Sequence, residues 1–156
     1  MKTAVLYTTT YGTTQRYAEA LVAAIGQGSQ SFDLRSVPEP NLQEFDAVIV
    51  GASVYVGKIQ PAAEAYLKSH EDELLRKPLA LFLCGMQEKE MSNQLQNNFS
   101  ESLKKHAKPL VWLGGAYPLK KMSFMHKLMV KTIAKVTDEQ EAIRWPELEQ
   151  LANIFQ

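Results

Sequence analysis

Thr-Ala-Val-Leu-Tyr-Thr-Thr-Thr-Tyr-Gly-Thr-Thr-Gln-Arg-Tyr-Ala, residues Thr3 to Ala18, runs from an apolar strand through a hydroxyl-rich loop with one glycine into a helix. Thr8, Thr9, Thr10, Tyr11, Gly12, Thr13 and Thr14 set hydroxyl groups beside the start of that helix. The first backbone N–H groups of a helix have no intrahelical partner, and its dipole turns its positive end toward them. The segment therefore predicts a cradle for a phosphate monoester, with no lysine required. Gly12 lets the backbone approach the anion and tolerates a positive φ. A nucleotide loop of the Gly-x-x-x-x-Gly-Lys-Ser/Thr kind and a Gly-x-Gly-x-x-Gly fingerprint are both excluded, because the segment holds one glycine and no lysine. The bland alternative is an ordinary strand-to-helix turn with one threonine as cap.

Outward from this loop, Ala4 to Tyr7, Ala47 to Val50, Leu79 to Leu83 and Leu110 to Leu113 are short runs rich in valine, isoleucine and leucine, as strands buried on both faces require. Ser31 to Ser36 alternates Phe32 and Leu34 with polar neighbours and reads as an edge strand. Between them, Thr14 to Ile25, Pro61 to Arg76 and Met91 to His106 have helical spacing. Pro61 suits a first turn. A closing helix, Pro146 to Phe155, carries Leu148, Leu151, Ala152 and Phe155 on one stripe. The alternation predicts an α/β, doubly wound sandwich around a central five-stranded parallel sheet, as a single domain over residues 1–156.

In such sheets ligands sit beyond the carboxyl ends of the strands. Besides the threonine loop, two segments there are unusual. Gly51 to Lys58 brings Ser53, Val54, Tyr55, Val56 and Gly57; Cys84 to Lys89 brings Cys84, Gly85 and Met86. Their glycines allow close backbone approach, and Val54, Tyr55, Val56 and Met86 offer apolar surface to a flat ring. A phosphate loop with two ring-clamping loops points to a flavin. The plain alternative is that these glycines end strands and Tyr55 packs locally. Cys84, alone at the end of a buried strand, reads as a small hydrophobe rather than a nucleophile.

Seventeen basic and 17 acidic residues cancel, so global charge argues for neither nucleic acid nor a strongly acidic docking protein. One cysteine excludes a disulfide framework and a multi-cysteine zinc site. His70, His106 and His126 lack metal-ligand spacing, so no metal is expected. No apolar run approaches the roughly 18 residues of a membrane span, and no h-region follows the N-terminus. A cytoplasmic setting is expected, with peripheral contact at the inner face of the membrane as an option. That option comes from Tyr117 to Thr137, which has no acidic residue and reads as an insertion near the last strand. It has Lys127, Lys131 and Lys135 on one helical side and Met122, Met125, Met129, Ile133 and Val136 on another. A basic helix near 120–136 of this kind supports weak membrane association, or else packs its methionines on the domain with a solvated lysine face. After it, Glu141 to Trp145 is expected to resume the interrupted edge strand.

The loop Thr9-Thr-Tyr-Gly-Thr-Thr14 resembles the flavodoxin-like family, whose phosphate loop runs Ser/Thr-x-Thr-Gly-x-Thr; Thr9, Gly12 and Thr14 match. Val48 to Gly57, Gly114 to Leu119 and Phe124 to Lys131 look like its menaquinone-dependent protoporphyrinogen oxidase branch. The resemblance spans nearly the whole chain. It implies non-covalent FMN, oxidation of a tetrapyrrole precursor, and electrons passed to a quinone. The chemistry would then lie on FMN, with no catalytic side chain. Thr9, Thr10, Gly12, Thr13 and Thr14 would hold the phosphate, Ser53 to Gly57 would flank the ring, and Cys84, Gly85 and Met86 would border its other edge. The expected partner is a quinone or porphyrinogen-like substrate, or a redox protein. A flavodoxin-type electron carrier and a flavin-free binding protein on the same fold are the alternatives. Carriers of this fold are typically acidic, and this neutral chain is not.

Overall fold

The computed structural model describes residues 1–117 and 140–156. Strands β1 (Thr3–Tyr7), β2 (Gln30–Asp33), β3 (Ala47–Tyr55), β5 (Leu79–Cys84) and β6 (Leu110–Trp112) form a parallel sheet in the order β2-β1-β3-β5-β6, and a short β4 (Lys58–Ile59) pairs antiparallel with the end of β3. The five parallel strands and the edge position of β2 are as the hydrophobic pattern requires. Every residue of β1 and β5 is buried, whereas β2 is only half-buried.

The pleat sends alternate residues to opposite faces. Val5, Ile49 and Phe82 meet Tyr17, Leu21 and Ile25 of α1 (Thr13–Ile25) and Leu148, Leu151, Ala152 and Phe155 of α6 (Trp145–Phe155). Leu6, Val48, Val50 and Leu81 meet Ala63, Tyr66 and Leu67 of α2 (Pro61–Ser69), Leu74 of α3 (Glu71–Leu74) and Leu103 of α5 (Glu101–His106). The described residues also include α4 (Met91–Asn97). Helices on both faces of a parallel sheet make the doubly wound architecture.

Four local readings are corrected. The segment after Val50 is no free loop: β3 continues through Gly51, Ala52 and Ser53, which pair with Phe82, Leu83 and Cys84, and then Tyr55 turns back through Val56 and Gly57 onto Lys58. From the sequence, Gly51 reads as opening a ligand-facing loop, its missing side chain allowing close backbone approach to a ring. It is glycine because a Cβ there would stand 2.0 Å from Phe82 Cζ. The helix expected over 61–76 divides at His70, whose ring stacks on Tyr66 and bonds Glu39 at 2.6 Å. The one expected over 91–106 divides between Asn98 and Ser100. Ser100 Oγ accepts the Leu103 N–H at 3.3 Å, and Glu101 and Lys104, Lys105 and His106 complement the two ends of α5.

The last correction concerns the chain after β6. Residues 141–145 do not resume the edge strand: β7 (Ala116–Tyr117) and β8 (Gln140–Glu141) form a separate antiparallel pair, and Trp145 already begins α6. Gly114, at φ +61, turns the chain off the sheet, and Ala142 O lies 2.1 Å from where a Cβ would be. The basic helix expected near 120–136 lies outside the described residues.

Candidate functional site

The loop after β1 and the hairpin after β3 meet at the carboxyl edge of the sheet. Thr8 N–H donates to Gly51 O at 3.1 Å, which starts the threonine loop against β3. Gly12 precedes α1 with φ +96, and nothing lies within 4 Å of where its Cβ would project. No side chain caps α1, and its first turn holds no acidic residue. The plain reading, in which a threonine caps this helix, is therefore not what the fold does. Thr9 Oγ1 instead accepts the Gly12 N–H at 2.9 Å, which closes the loop on itself. An uncapped helix start behind an open glycine suits an anion. The residues present fit a phosphate group.

The other threonines are tied into the hairpin. Thr8 is fully buried, and its hydroxyl donates to Gln60 Oε1 at 2.7 Å. Gln60 Oε1 also accepts the Ser53 N–H at 3.2 Å, while Gln60 Nε2 donates to Thr10 Oγ1 at 3.1 Å. Thr14, also fully buried, shares a short hydroxyl–hydroxyl bond with Ser53 and reaches the Cys84 thiol. Arg35, in the loop after β2, donates to Thr9 O at 3.1 Å and brings a positive charge beside the cradle. Gln60 and Arg35 were missed in the sequence because Gln60 was hidden as the residue before a helix-starting proline. Arg35 followed an edge strand with no motif around it.

The ring-facing candidates divide. Tyr55 is half-buried and Val56 is 63% exposed at the hairpin tip, where Val56 has φ 50 and Gly57 φ 78. A two-residue turn with both φ positive matches the right-handed twist of the strands but strains a β-branched residue. Asn98 holds this turn: its Nδ2 donates to Gly57 O at 3.1 Å and its Oδ1 accepts the Ile59 N–H at 3.1 Å. Val54 packs instead on the core beneath α2. Cys84 is buried, and burial pushes its thiol up to about 12, so it carries no thiolate at neutral pH. Gly85 is backed by Trp112 and Gln94, with Gly115 against its backbone, and Met86 is half-buried beyond it. Trp112 Nε1 donates to buried Gln94 at 3.3 Å.

Tyr17 fastens α1 to the end of β6. Its hydroxyl donates a short bond to Leu113 O, lies 3.3 Å from Gly114 O, and accepts the Arg144 N–H at 3.2 Å. Arg144 lies over Trp112 at 5.1 Å and pairs with Glu88. Away from this edge, a groove of about 330 Å³ lined by Met1, Leu79, Lys108 and Phe155, among others, lies at the opposite ends of the strands. Among the described residues no cluster of histidine, cysteine or carboxylate side chains is placed to hold a metal. No helix among them is long and apolar enough to cross a membrane.

A doubly wound parallel sheet whose first strand feeds an uncapped, glycine-led helix defines a class of α/β proteins whose ligand crevice lies beyond the carboxyl ends of the strands. Within that class the chain belongs to the flavodoxin domain family, which it matches over residues 4–143. It is 24% identical over 166 aligned residues to a protoporphyrinogen IX dehydrogenase [quinone] of Escherichia coli strain K12, covering 98% of this chain and 92% of that one. The flavodoxin 1 structure from Bacillus cereus superposes with a TM-score of 0.58 at 12% identity, over 99% of this chain and 97% of that one. A Fusobacterium nucleatum flavodoxin bound to flavin mononucleotide gives 0.52 at 20% identity, over 71% and 69%.

Proposed function

We propose that this protein is an FMN-dependent oxidoreductase that oxidises a porphyrinogen-type substrate and passes the electrons to a quinone. The observation that carries the FMN part is the start of α1, uncapped behind Gly12 and faced by Thr9 and Thr10. The distant similarity to the Escherichia coli quinone-linked dehydrogenase along nearly the full length supports the substrate class. The balanced charge of the chain supports an enzyme over an acidic carrier.

In this reading residues 1–156 form one FMN-binding domain. Thr9, Thr10, Gly12, Thr13 and Thr14 hold the phosphate, Thr14 through its backbone N–H because its hydroxyl is committed to Ser53; the N–H groups at the start of α1 supply the positive field, and Arg35 adds charge. Tyr55, Val56 and Gly57 cover one side of the ring, with Ser53 and Val54 supporting that cover from below. Gly85 and Met86 border the other edge, with Cys84 as their buried floor. FMN, when bound, supplies the electron and hydride chemistry, so no acid, base or nucleophile is demanded of the chain. The protein's part is to bind, orient and exclude water; the high pKa of Cys84 removes it from covalent chemistry. The lysines within 118–139 bring the enzyme to an anionic membrane surface at the inner face, where a lipid-soluble quinone is met.

The test is titration of FMN into deflavinated protein, followed by turnover with protoporphyrinogen and menaquinone monitored through porphyrin fluorescence. Tight binding with quinone-dependent turnover is the expected result. Tight binding without turnover reassigns the protein as a carrier or another flavin reductase. Absence of binding refutes the phosphate cradle.

A further inference from the structure

A hydroxyl group has one proton to donate, and an amide side chain has an accepting end and a donating end. The direction of each bond around Gln60 is therefore decided by the one member that cannot reverse. That member is the Ser53 backbone N–H, a donor only, which lies 3.2 Å from Gln60 Oε1. It fixes the carbonyl end of Gln60 toward β3. The Thr8 hydroxyl, 2.7 Å from the same oxygen, must then donate to it, and its proton is consumed. The NH₂ end of Gln60 faces Thr10 Oγ1 at 3.1 Å, so Thr10 must accept, and its own proton stays available. Thr9 ends in the same state by a different route, because Oγ1 accepts the Gly12 N–H. Two of the three hydroxyls preceding Tyr11 are thereby held as donors on the loop that cradles the anion. A phosphate monoester dianion offers only acceptors.

Gln60 gives no help to its own helix: it stands at the N-cap of α2 with no side-chain capping bond, and its side chain reaches back to the threonine loop instead. We infer that Gln60 is a positioning residue that sets the Thr10 hydroxyl as a donor to the ligand phosphate, and so makes the site select the phosphorylated flavin over the unphosphorylated one. This rests on the FMN reading above, and it adds a residue and a discriminating step to it.

The experiment measures affinity for FMN and for riboflavin in the wild type, Gln60→Glu, Gln60→Ala, Thr10→Val and the Gln60→Ala/Thr10→Val pair, with thermal unfolding of each. In Gln60→Glu the Ser53 and Thr8 bonds persist, but an accepting oxygen replaces the NH₂ group and takes the Thr10 proton. FMN affinity is expected to fall about tenfold to a hundredfold, the size of a lost hydrogen bond to a charged group together with repulsion from the new carboxylate, with riboflavin affinity within about twofold of wild type; the share that belongs to Thr10 is read from the uncharged Gln60→Ala/Thr10→Val cycle. Gln60→Ala lowers the FMN-to-riboflavin ratio less, and adds nothing to it once Thr10 is valine, because the two residues act as one unit. Should Gln60→Glu fail to fold, that alanine–valine cycle decides the matter by itself. Equal losses for both flavins, or an undiminished effect of Gln60→Ala on top of Thr10→Val, would overturn the assignment while leaving FMN binding intact. A wild type that binds no FMN would remove both this inference and the function on which it rests.

Discussion

A methyl group at Gly51 would stand 2.0, 2.3 and 2.4 Å from three atoms of the Phe82 ring, which is itself fully buried and edge-on to Tyr17 with centroids 6.1 Å apart. Neither ring has room to retreat. Gly51→Ala is thus expected to destabilise the fold by about 1–3 kcal/mol or more, the range for overpacked cores, read as a lower urea midpoint. Gly12 presents the opposite case. Its Cβ would meet no protein atom, so the main cost of Gly12→Val is the left-handed backbone conformation of a β-branched residue, about 1–3 kcal/mol. The fold should survive that change while FMN affinity is lost; unchanged affinity would remove the cradle. The glycine of the loop was recognisable from sequence because its neighbours are hydroxyls. Gly51 was misread, because the ring that demands it is 31 positions away in the chain.

Cys84 makes a prediction with pH. Burial raises its thiol from the ordinary 9.0 to about 12 in the fold, so the folded state holds this proton more tightly than the unfolded chain. The sign follows: the contribution is fully present below 9 and is lost as pH rises toward about 12. Cys84→Ala should flatten the alkaline fall in urea midpoint over that window relative to wild type. Tyr66, raised mainly by burial, is common to both proteins and cancels; Tyr17, also raised mainly by burial, loses the smaller contribution of Cys84 in the variant, which flattens the fall in the same direction. Equal slopes would show that the thiol is not sequestered as the packing indicates.

Among the elements, the β3–β4 hairpin carries the strain of the site. Val56 at φ 50 is a β-branched residue in a turn that favours Asn-Gly. Val56→Asn should stabilise the protein by about 0.5–1 kcal/mol in urea unfolding by relieving that conformation. The same change removes apolar cover from the proposed ring, so FMN affinity should fall as stability rises. Stability and affinity moving together would show that Val56 does not face the flavin. The presence of the strands was legible where both faces are apolar, but not the end of β3, which runs past Val50 to Tyr55. The hairpin was not, since a valine at a positive-φ position contradicts the usual turn chemistry. The breaks at His70 and Asn98 escaped for a different reason: the helical pattern continues across them. His70 is committed to Tyr66 and Glu39, and Asn98 to Gly57 and Ile59. These are contacts with other elements, so local periodicity does not see them.

On the scale of the molecule, β7 and β8 bring the two ends of the 118–139 segment side by side, with Tyr117 opposite Gln140. Two residues suffice to close an antiparallel pair of this kind. Replacing 118–139 with Asn-Gly should therefore leave thermal stability and FMN binding close to wild type, while sedimentation with anionic vesicles is lost. Loss of FMN binding in this variant would place part of the cofactor site in the segment, and unchanged sedimentation would remove the lysines from any membrane role.

The chain's own pattern determined the parallel sheet, its edge, the closing helix and the glycine-led start of α1, because each depends on burial periodicity or on groups adjacent in sequence. Tertiary structure alone decided that β3 runs on into a hairpin, that Gly51 exists for Phe82, and that Gln60 bonds Thr8 and Thr10 of the threonine loop. The directions of those hydrogen bonds are set by a backbone N–H on another strand, and partners brought together only by the sheet leave no local trace.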